Sequence, residues 1–258
     1  MTDAIFKKTY HYNAHAHGLS ASFERPVQHL IEVQAATSLP TTGGHGNSRM
    51  GKFRFQEFIS YEAAYTHVSG SQSKVDSAYT TLVTATIEGL NILDVVTADR
   101  IVARLSSQHP TEHHEPHVLF LGSKFENLRI AGCPVEIDLN HDLFTRLDTF
   151  AAIRKELESS ADFRKMAEDP YQTGQAQKLP DAHGVLLCSL VKNMKVNCPG
   201  VTRHGHAFVV PQFGKVFLGE ILAKHGTRTL TMLRVEMGSP VAGAANVAET
   251  VVNGNTWP

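Results

Sequence analysis

Residues 80–93 read TTLVTATIEGLNIL, and this stretch decides the fold class. Its apolar side chains recur at every second position, as at Val83 and Ile87, which places them on one face of a β-strand. The same alternation returns at residues 95–107 (VVTADRIVARLSS) and 122–139 (GSKFENLRIAGCPVEIDL). Three such segments in a row predict neighbouring strands of a sheet that is buried on one side.

Strand patterns extend outward from this centre in both directions. They occupy residues 18–34, 52–70, 184–196, 205–223 and 227–237. The turn at residues 224–226 predicts that the last two segments form a β-hairpin. The first twelve residues are expected to form a loose arm, and residues 239–258 a tail or an edge strand.

Residues 141–168 change to the period of helices. The apolar stripe of the first helix consists of Leu143, Leu147, Phe150 and Leu157. Residues 159–162 (SSAD) then resemble a capping box, so a second short helix is expected to start there. The chain therefore reads as one mainly-β domain over residues 1–258, a sandwich or barrel-like assembly of antiparallel sheets with a helical insertion near 141–168.

Composition excludes several classes of partner. The formal net charge is −1, and no stretch has the clustered Lys and Arg that nucleic-acid binding needs. No run of 18 apolar residues exists, so no membrane-spanning helix is expected. The first residues lack the apolar core of a signal peptide, which favours a cytoplasmic location by default. Cys133, Cys188 and Cys198 are expected to stay reduced, with Cys188 as a buried, inert thiol.

Histidine is frequent, with 15 residues in the chain. The pairs His15 and His17, and His204 and His206, are each two residues apart and would share one face of a strand. Paired imidazoles of this kind can hold a divalent transition metal, so these four are the candidate metal ligands. No other cofactor is expected.

Other histidines give two further possibilities. A histidine-lined pocket would combine His15 and His17 with His45, His67 or the second pair. The loop at residues 112–117 (EHHEPH) holds three imidazoles and two carboxylates, but a solvated loop is its simpler interpretation.

No catalytic residues emerge from the sequence. It lacks a G-x-S-x-G elbow, an HExxH helix and a phosphate-binding loop. Acid–base pairs would have to come from carboxylates in the strand segments, which the sequence alone does not bring together. The candidates are Glu57, Glu62, Asp94, Asp99, Glu136, Asp138, Glu220 and Glu236.

Several strands have small, uncharged side chains on one face. Examples are Thr80, Thr84 and Thr86, and Thr227, Thr229 and Thr231. Such faces suit contact with another sheet or another subunit, so a homo-oligomer is the expected assembly.

Four motifs resemble the choice-of-anchor P family in the same order along the chain. They are AHAHGLSASF (14–23), GLNILDVVTADRIVARLSS (89–107), GSKFENLRIAG (122–132) and VVPQFGKVFLGEIL (209–222). The matching residues are Thr97, Ala98, Asp99, Gly122, Ser123, Phe125, Leu128, Gly132, Phe213, Gly214, Val216, Leu218 and Glu220. The resemblance implies an all-β, secreted or cell-surface domain, mostly of bacterial origin, with no established enzymatic activity.

The sequence therefore favours a non-catalytic structural or binding module that self-associates through β-rich surfaces. One alternative is the histidine-lined metal-binding protein or enzyme. The other is a carrier of a small apolar ligand in a β-barrel cavity, with Phe53, Phe55, Tyr61 and Tyr65 as the lining.

Overall fold

A computed structural model describes residues 9–75, 77–110, 115–181 and 184–257. Within these residues the chain forms 22 strands and three helices, and every strand pairing is antiparallel. Most of the strands belong to two large sheets. A small two-stranded ribbon pairs β1 (Thr9–His11) with β22 (Asn255–Trp257), so the early and late segments of the chain lie side by side.

The first large sheet has nine strands within the described part of the chain. Its main path runs through β17 (Thr202–His204), β18 (Ala207–Val210), β19 (Gly214–Lys224), β20 (Thr227–Met237), β21 (Ala242–Asn253), β2 (Ala14–Arg25) and β3 (His29–Gln34). Two short strands extend it, β15 (Leu186–Ser189) on β19 and β4 (Thr37–Ser38) on β2. The predicted hairpin at residues 224–226 is confirmed, because Lys224 pairs with Thr227.

The second large sheet has eleven strands among the same residues. Its main path runs through β16 (Val191–Val196), β14 (Cys133–Leu139), β13 (Arg129–Ile130), β10 (Val96–His109), β9 (Tyr79–Ile92), β7 (Ile59–Tyr61) and β6 (Phe53–Phe55). Four more strands join it: β11 (His117–Leu119) and β12 (Lys124–Glu126) on β10, β8 (Ala63–Gln72) on β9, and β5 (Gly44–Met50) on β8.

The two sheets pack face to face, with β9 and β10 of one sheet against β2 and β21 of the other. The facing side chains include Val83, Ile87, Ile101, Leu105, Leu19, Leu230, Leu233 and Val247, all 0% exposed. Removing this apolar surface from water is the main force that holds the sheets together. The mainly-β prediction is confirmed, and of its two forms the structure is the sandwich.

One irregularity crosses the nine-stranded sheet at a single level. The regular pairing skips Gly219 in β19, Met232 in β20, Ala248 in β21 and Gly18 in β2. Each skipped residue shifts the alternation of side chains by one position, as a β-bulge does. It lies opposite the residue skipped in the next strand, so the register between the strands is unchanged. Gly219 has φ of +62°, a left-handed conformation that glycine adopts without strain. We call this row of four residues the bulge line.

The predicted helical insertion is confirmed at residues 141–168, with three helices in place of two. They are α1 (His141–Arg146), α2 (Phe150–Ser159) and α3 (Ala161–Glu168). The Thr149 side chain caps α2 by accepting a hydrogen bond from the Ala152 amide. Ser160 caps α3 in the same way through the Phe163 amide, and it lies within the predicted capping box at residues 159–162. The first predicted helix is divided at Leu147, because the backbone of that residue is not helical and ends α1.

The structure corrects three predictions. Residues 9–12 are not a loose arm, because β1 pairs with β22 and both Tyr10 and Tyr12 are buried. Residues 242–253 are not a tail or an edge strand, because β21 lies between β20 and β2 in the middle of its sheet. Cys133 and Cys198 are not reduced: they form a disulfide, with their Cα atoms 5.8 Å apart. The reason is strand register, since β14 pairs Val135 with Val196, and two residues further along the same register Cys133 meets Cys198.

Candidate functional site

A buried cluster of charged and aromatic side chains lies on the outer face of the nine-stranded sheet, the face that points away from the other sheet. Its centre is Glu220 of β19, which is 7% exposed. The loop that follows α3 covers it and contributes Tyr171. Gly205, in the β17–β18 turn, allows the loop to approach, because a Cβ atom there would lie 1.9 Å from the Pro170 carbonyl oxygen.

Hydrogen bonds satisfy both oxygens of the Glu220 carboxylate. Arg234 donates from Nε to Oε2 at 2.5 Å and from Nη2 to Oε1 at 2.9 Å. Tyr171 donates its hydroxyl hydrogen to Oε1, and the Nε2 atom of His206 lies 3.5 Å from the same oxygen. Arg234 also donates to Glu236 on the solvent side. We call these five residues the Glu220 cluster.

Aromatic rings surround the charges. The Arg234 guanidinium lies over the Phe217 ring, 3.6 Å from its centroid, in a cation–π contact. The Tyr171 ring packs against Phe217 at 5.0 Å and against His206 at 4.8 Å between ring centres. The cluster is thus held rigidly between the sheet and the covering loop.

The bulge line is what brings these side chains to one face. Phe217 and Glu220 are three residues apart in β19, and a regular strand would point them to opposite faces. The shift at Gly219 turns both outward, and the shift at Met232 does the same for Thr231 and Arg234. Without the bulges, the Glu220 carboxylate would face the apolar core.

The environment shifts three pKa values in the cluster. Burial alone would raise the pKa of Glu220, but the contacts from His206, Arg234 and Tyr171 hold it at about 2. For Arg234, burial opposes the charged form, but the Glu220 carboxylate outweighs it and raises the pKa. Burial, followed by the nearby Glu220 charge, raises the pKa of Tyr171. The carboxylate and the guanidinium therefore stay charged over the physiological range.

Two cavities flank the cluster on either side of Gln172. The first has a volume of about 450 Å³. Its lining consists of Tyr171, Gln172, Thr173, His204, Ala207, Val209, Lys215, Phe217, Arg234 and Glu236. The second, of about 520 Å³, is bordered by α3, β16 and His206. The Gln172 side chain accepts a hydrogen bond from the Gly205 amide and so forms part of the wall between the cavities.

The predicted pair of His204 and His206 does not share a strand face. His204 ends β17 and is exposed, whereas His206 lies within the turn and is 4% exposed. The reason is the two-residue turn at Gly205 and His206, because His204 already pairs with Ala207 across the hairpin. The Nε2 atom of His206 is buried, and no group within the described ranges forms a hydrogen bond with it.

His15 and His17 do share the outer face of β2, as predicted. Ser20 lies 3.3 Å from His17 Nε2, and Glu249 lies 3.9 Å from His17 Nδ1. Burial lowers the pKa of His17, with Glu249 opposing and His15 reinforcing the shift. Within the described residues no group of three His, Cys, Asp or Glu side chains is placed to hold a metal ion. Metal binding by these residues stays a prediction.

The predicted histidine-lined pocket does not combine His15 and His17 with His45 or His67. His15 and His17 lie on the outer face of the nine-stranded sheet, whereas His67 and His45 are exposed on β8 and β5 of the other sheet. The packed core separates the two groups because strands of a sandwich expose opposite outer faces. Glu112, His113 and His114 of the predicted loop lie outside the described residues.

Glu115, from the same loop, is a structural residue. Its carboxylate accepts hydrogen bonds from the Phe150 amide at 2.5 Å and from the Ala151 amide at 3.0 Å, at the start of α2. It also lies 4.0 Å from Arg228, which is 1% exposed. Burial lowers the pKa of Arg228, and Glu115 opposes that shift. This pair fastens the helical insertion to the end of the sandwich.

Three of the four aromatic residues proposed as a ligand lining, Phe53, Phe55 and Tyr61, pack in or against the core. Tyr61 is 1% exposed and donates a hydrogen bond to Gln34. Phe53 stacks on Tyr61, and Phe55 stacks on Phe23 at 5.3 Å and on His29 at 4.4 Å. The Tyr65 hydroxyl bonds Glu88. Both cavities beside the Glu220 cluster are lined by other residues.

The remaining candidates from the sequence are the eight carboxylates and Cys188. Of the eight carboxylates, seven are exposed, and Glu220 is the buried one. Glu236 is the second member of that set that bonds Arg234. Cys188 is 0% exposed, and burial raises the pKa of its thiol to about 12, as expected for an inert cysteine.

A separate surface lies at the edge of the nine-stranded sheet. Among the described strands, β3 pairs with β2 alone, so its other side is an open edge. Leu30 is 75% exposed there, and Val33 and Val27 are 51% and 42% exposed. The threonine faces singled out in the sequence belong instead to β9 and β20, which have partners on both sides.

Sequence reasoning named Glu220, Glu236 and His206 but missed Tyr171, Phe217 and Arg234. A strict period of two places Phe217 and Glu220 on opposite faces, which hides their contact with Arg234. The one available signal is Gly219, since an isolated glycine within a strand pattern indicates a bulge.

The fold and the site define an antiparallel β-sandwich with a buried ionic cluster on the outer face of one sheet. Residues 10–224 match the model of a domain of unknown function, DUF8256, and the chain belongs to this family. No curated protein and no solved structure gives a significant match to the chain. Within the described residues no helix is long and apolar enough to cross a bilayer.

Proposed function

We propose that the protein is a non-catalytic structural and binding module that self-associates in pairs through the edge of β3. The observation that carries this proposal is the exposure of Val27, Leu30 and Val33 on and beside a strand with one free side. An edge strand with unpaired backbone N–H and C=O groups and exposed apolar side chains pairs readily with a second strand.

A second copy of the chain is the partner that fits this edge. Antiparallel pairing of β3 with its own copy is symmetric about a two-fold axis, so one surface serves both subunits. An axis at Leu30 brings the two Leu30 side chains opposite each other and turns Val27 of each copy toward Val33 of the other. The nine-stranded sheet would then continue across both subunits.

The compartment is part of the same proposal. The disulfide between Cys133 and Cys198 supports a secreted or cell-surface setting, because such bonds persist mainly in oxidising environments. The resemblance to the choice-of-anchor P family leads to the same setting. That kinship stays a prediction.

Analytical ultracentrifugation over a concentration series tests the proposal. The wild-type protein is expected to sediment as a dimer, and Leu30→Glu as a monomer, because the substitution brings two carboxylates together at the centre of the contact. Leu121→Glu is the matched control: Leu121 is 51% exposed but does not belong to β3, so this variant should remain dimeric. A monomeric wild type at the highest soluble concentration, or equal association of both variants, would show the proposal to be wrong.

A further inference from the structure

The floor of the 450 Å³ cavity is a regular patch of the outer sheet face. One row across the strands pairs Ala207 with Phe217 and Phe217 with Arg234. The next row pairs Val209 with Lys215 and Lys215 with Glu236. The floor is therefore apolar at the β18 end and polar at the β20 end, and the loop of Tyr171, Gln172 and Thr173 forms a wall.

The charges around the cavity cancel one another. Arg234 is committed to Glu220, Glu236 and Tyr171 through four hydrogen bonds, which leaves one of its five N–H groups unused. The Lys215 ammonium balances the Glu236 carboxylate on the neighbouring strand. An anion or a cation would meet no net opposite charge here, so the lining disfavours an ionic ligand.

The groups that remain suit an uncharged ligand with many hydroxyls. Glu236 is an acceptor with a side chain that is 47% exposed, and Lys215 is an exposed donor. Thr173, Gln172 and His204 add groups that both donate and accept. Within the same lining, Tyr171 and Val209 offer apolar surface to C–H groups. A pyranose ring has this combination of a hydroxyl rim and an apolar face.

We propose that this cavity binds a neutral polyhydroxyl ligand, a sugar unit. Its volume lies within the range of about 300–1,000 Å³ that is usual for small-molecule sites. The Glu220 cluster fixes the polar groups in place before binding, which lowers the entropy lost when a ligand is held. The inference goes beyond self-association, since the cavity and the β3 edge are different surfaces and either can exist without the other.

Titration followed by ¹H–¹⁵N NMR spectra tests the proposal, with glucose, galactose, mannose, N-acetylglucosamine, maltose and cellobiose as probes. At least one sugar is expected to shift the amide signals of residues 171–173, 204–209, 215–217 and 234–236. Citrate and putrescine serve as charged comparators and should leave those signals unchanged. The same titration in the Leu30→Glu background separates ligand binding from self-association, and the shifts are expected to persist there.

Variants at the rim establish where the sugar binds. Glu236→Gln and Lys215→Ala should each raise the dissociation constant for the sugar about tenfold, which is the effect of losing one hydrogen bond to a charged group. Glu249→Gln lies on the same sheet face outside the cavity and is the matched control, with no change expected. The proposal is overturned if no probe sugar shifts the cavity signals, if only citrate or putrescine does, or if both rim variants bind as the wild type does.

Discussion

Glu220 keeps its charge in a place that water barely reaches. Burying a carboxylate costs several kcal/mol, and the cost is offset only when each oxygen is well bonded. Here Arg234 bonds both oxygens, Tyr171 bonds one of them, and the Phe217 ring stacks on the Arg234 guanidinium. The charge is stable because every partner is fixed by another member of the cluster.

This arrangement predicts a specific dependence of stability on pH. The folded-state pKa of Glu220 is about 2, below the ordinary value of 4.5. A lowered pKa adds stability that is fully present above pH 4.5 and is lost as the pH falls toward 2. In urea unfolding experiments the wild type should lose about 3 kcal/mol more than Glu220→Gln between these two pH values.

The control for this experiment is Glu249→Gln. Glu249 lies on the same sheet face, accepts a hydrogen bond from Thr231 and lies 3.9 Å from His17, but no Arg of the described residues forms an ion pair with it. Its pH profile should therefore follow that of the wild type. An acid-induced loss of stability that is the same in Glu220→Gln and in the wild type would contradict the account of the cluster.

The sequence identified individual titratable residues better than it predicted which side chains contact one another. It singled out Glu220, Glu236 and His206 as titratable groups. The structure places Glu220 and Glu236 against Arg234, and His206 beside Glu220. It missed Arg234 because nothing local shows that a strand side chain of β20 faces Glu220. That contact depends on the register between strands and on a bulge in each of them.

The pairing of β14 with β16 is stabilised by a covalent bond. They form a pair toward one side of the eleven-stranded sheet, and the Cys133–Cys198 disulfide closes it at one end. Their half-buried side chains, such as Val135 and Ile137, bury less apolar surface than the central strands do. The disulfide compensates because it restricts the unfolded chain across 65 residues.

Reduction of this disulfide should lower the free energy of unfolding by about 4 kcal/mol, the chain-entropy value for a loop of this length. Urea unfolding with and without dithiothreitol measures the change. The double variant Cys133→Ser/Cys198→Ser has no bond to reduce. Its free energy of unfolding should therefore equal that of the reduced wild type, with and without dithiothreitol. A wild-type midpoint that does not respond to dithiothreitol would contradict this role.

Strands and helices were predictable where their apolar residues repeat with a regular period. Both β9 and β10 have long alternating patterns, and the helical insertion has an apolar stripe and an N-cap at Ser160. The prediction of reduced cysteines was wrong because a separation of 65 residues hides the fact that Cys133 and Cys198 face each other across two strands. The β21 strand was misjudged because its small Ala and Gly residues resemble a loop.

On the scale of the whole molecule, the chain closes on itself. Early β2 pairs with late β21, so the centre of the nine-stranded sheet joins segments more than 200 residues apart. The family match ends at residue 224, the last residue of β19. The two strands between β19 and β2 therefore lie outside the matched segment but inside the sheet.

A fragment that ends at residue 224 is expected not to fold. It lacks the fully buried side chains of Leu230, Leu233, Val235 and Val247, and it leaves β19 and β2 without their partners. Far-UV circular dichroism and NMR dispersion measure the outcome. The control fragment ends at residue 253 and lacks only β22 and the residues around it, so it should keep the fold. A well-dispersed spectrum from the shorter fragment would refute this expectation.

The sequence predicted the class of this architecture but not its topology. Alternation along each strand establishes one buried face, and so a layered β-fold, without any knowledge of the neighbours. Which strands become neighbours depends on long-range pairing, as between β2 and β21. Such pairing leaves no local pattern that a single sequence could reveal.

The bulge line has a consequence for how this sheet can change in evolution. Gly18, Ala248, Met232 and Gly219 interrupt four adjacent strands at one level. Deleting any one of them alone would reverse the facing of every residue beyond it in that strand, while its neighbours kept theirs. Related chains should accordingly accept insertions and deletions at the hairpin ends of these strands, and gain or lose these four residues only together.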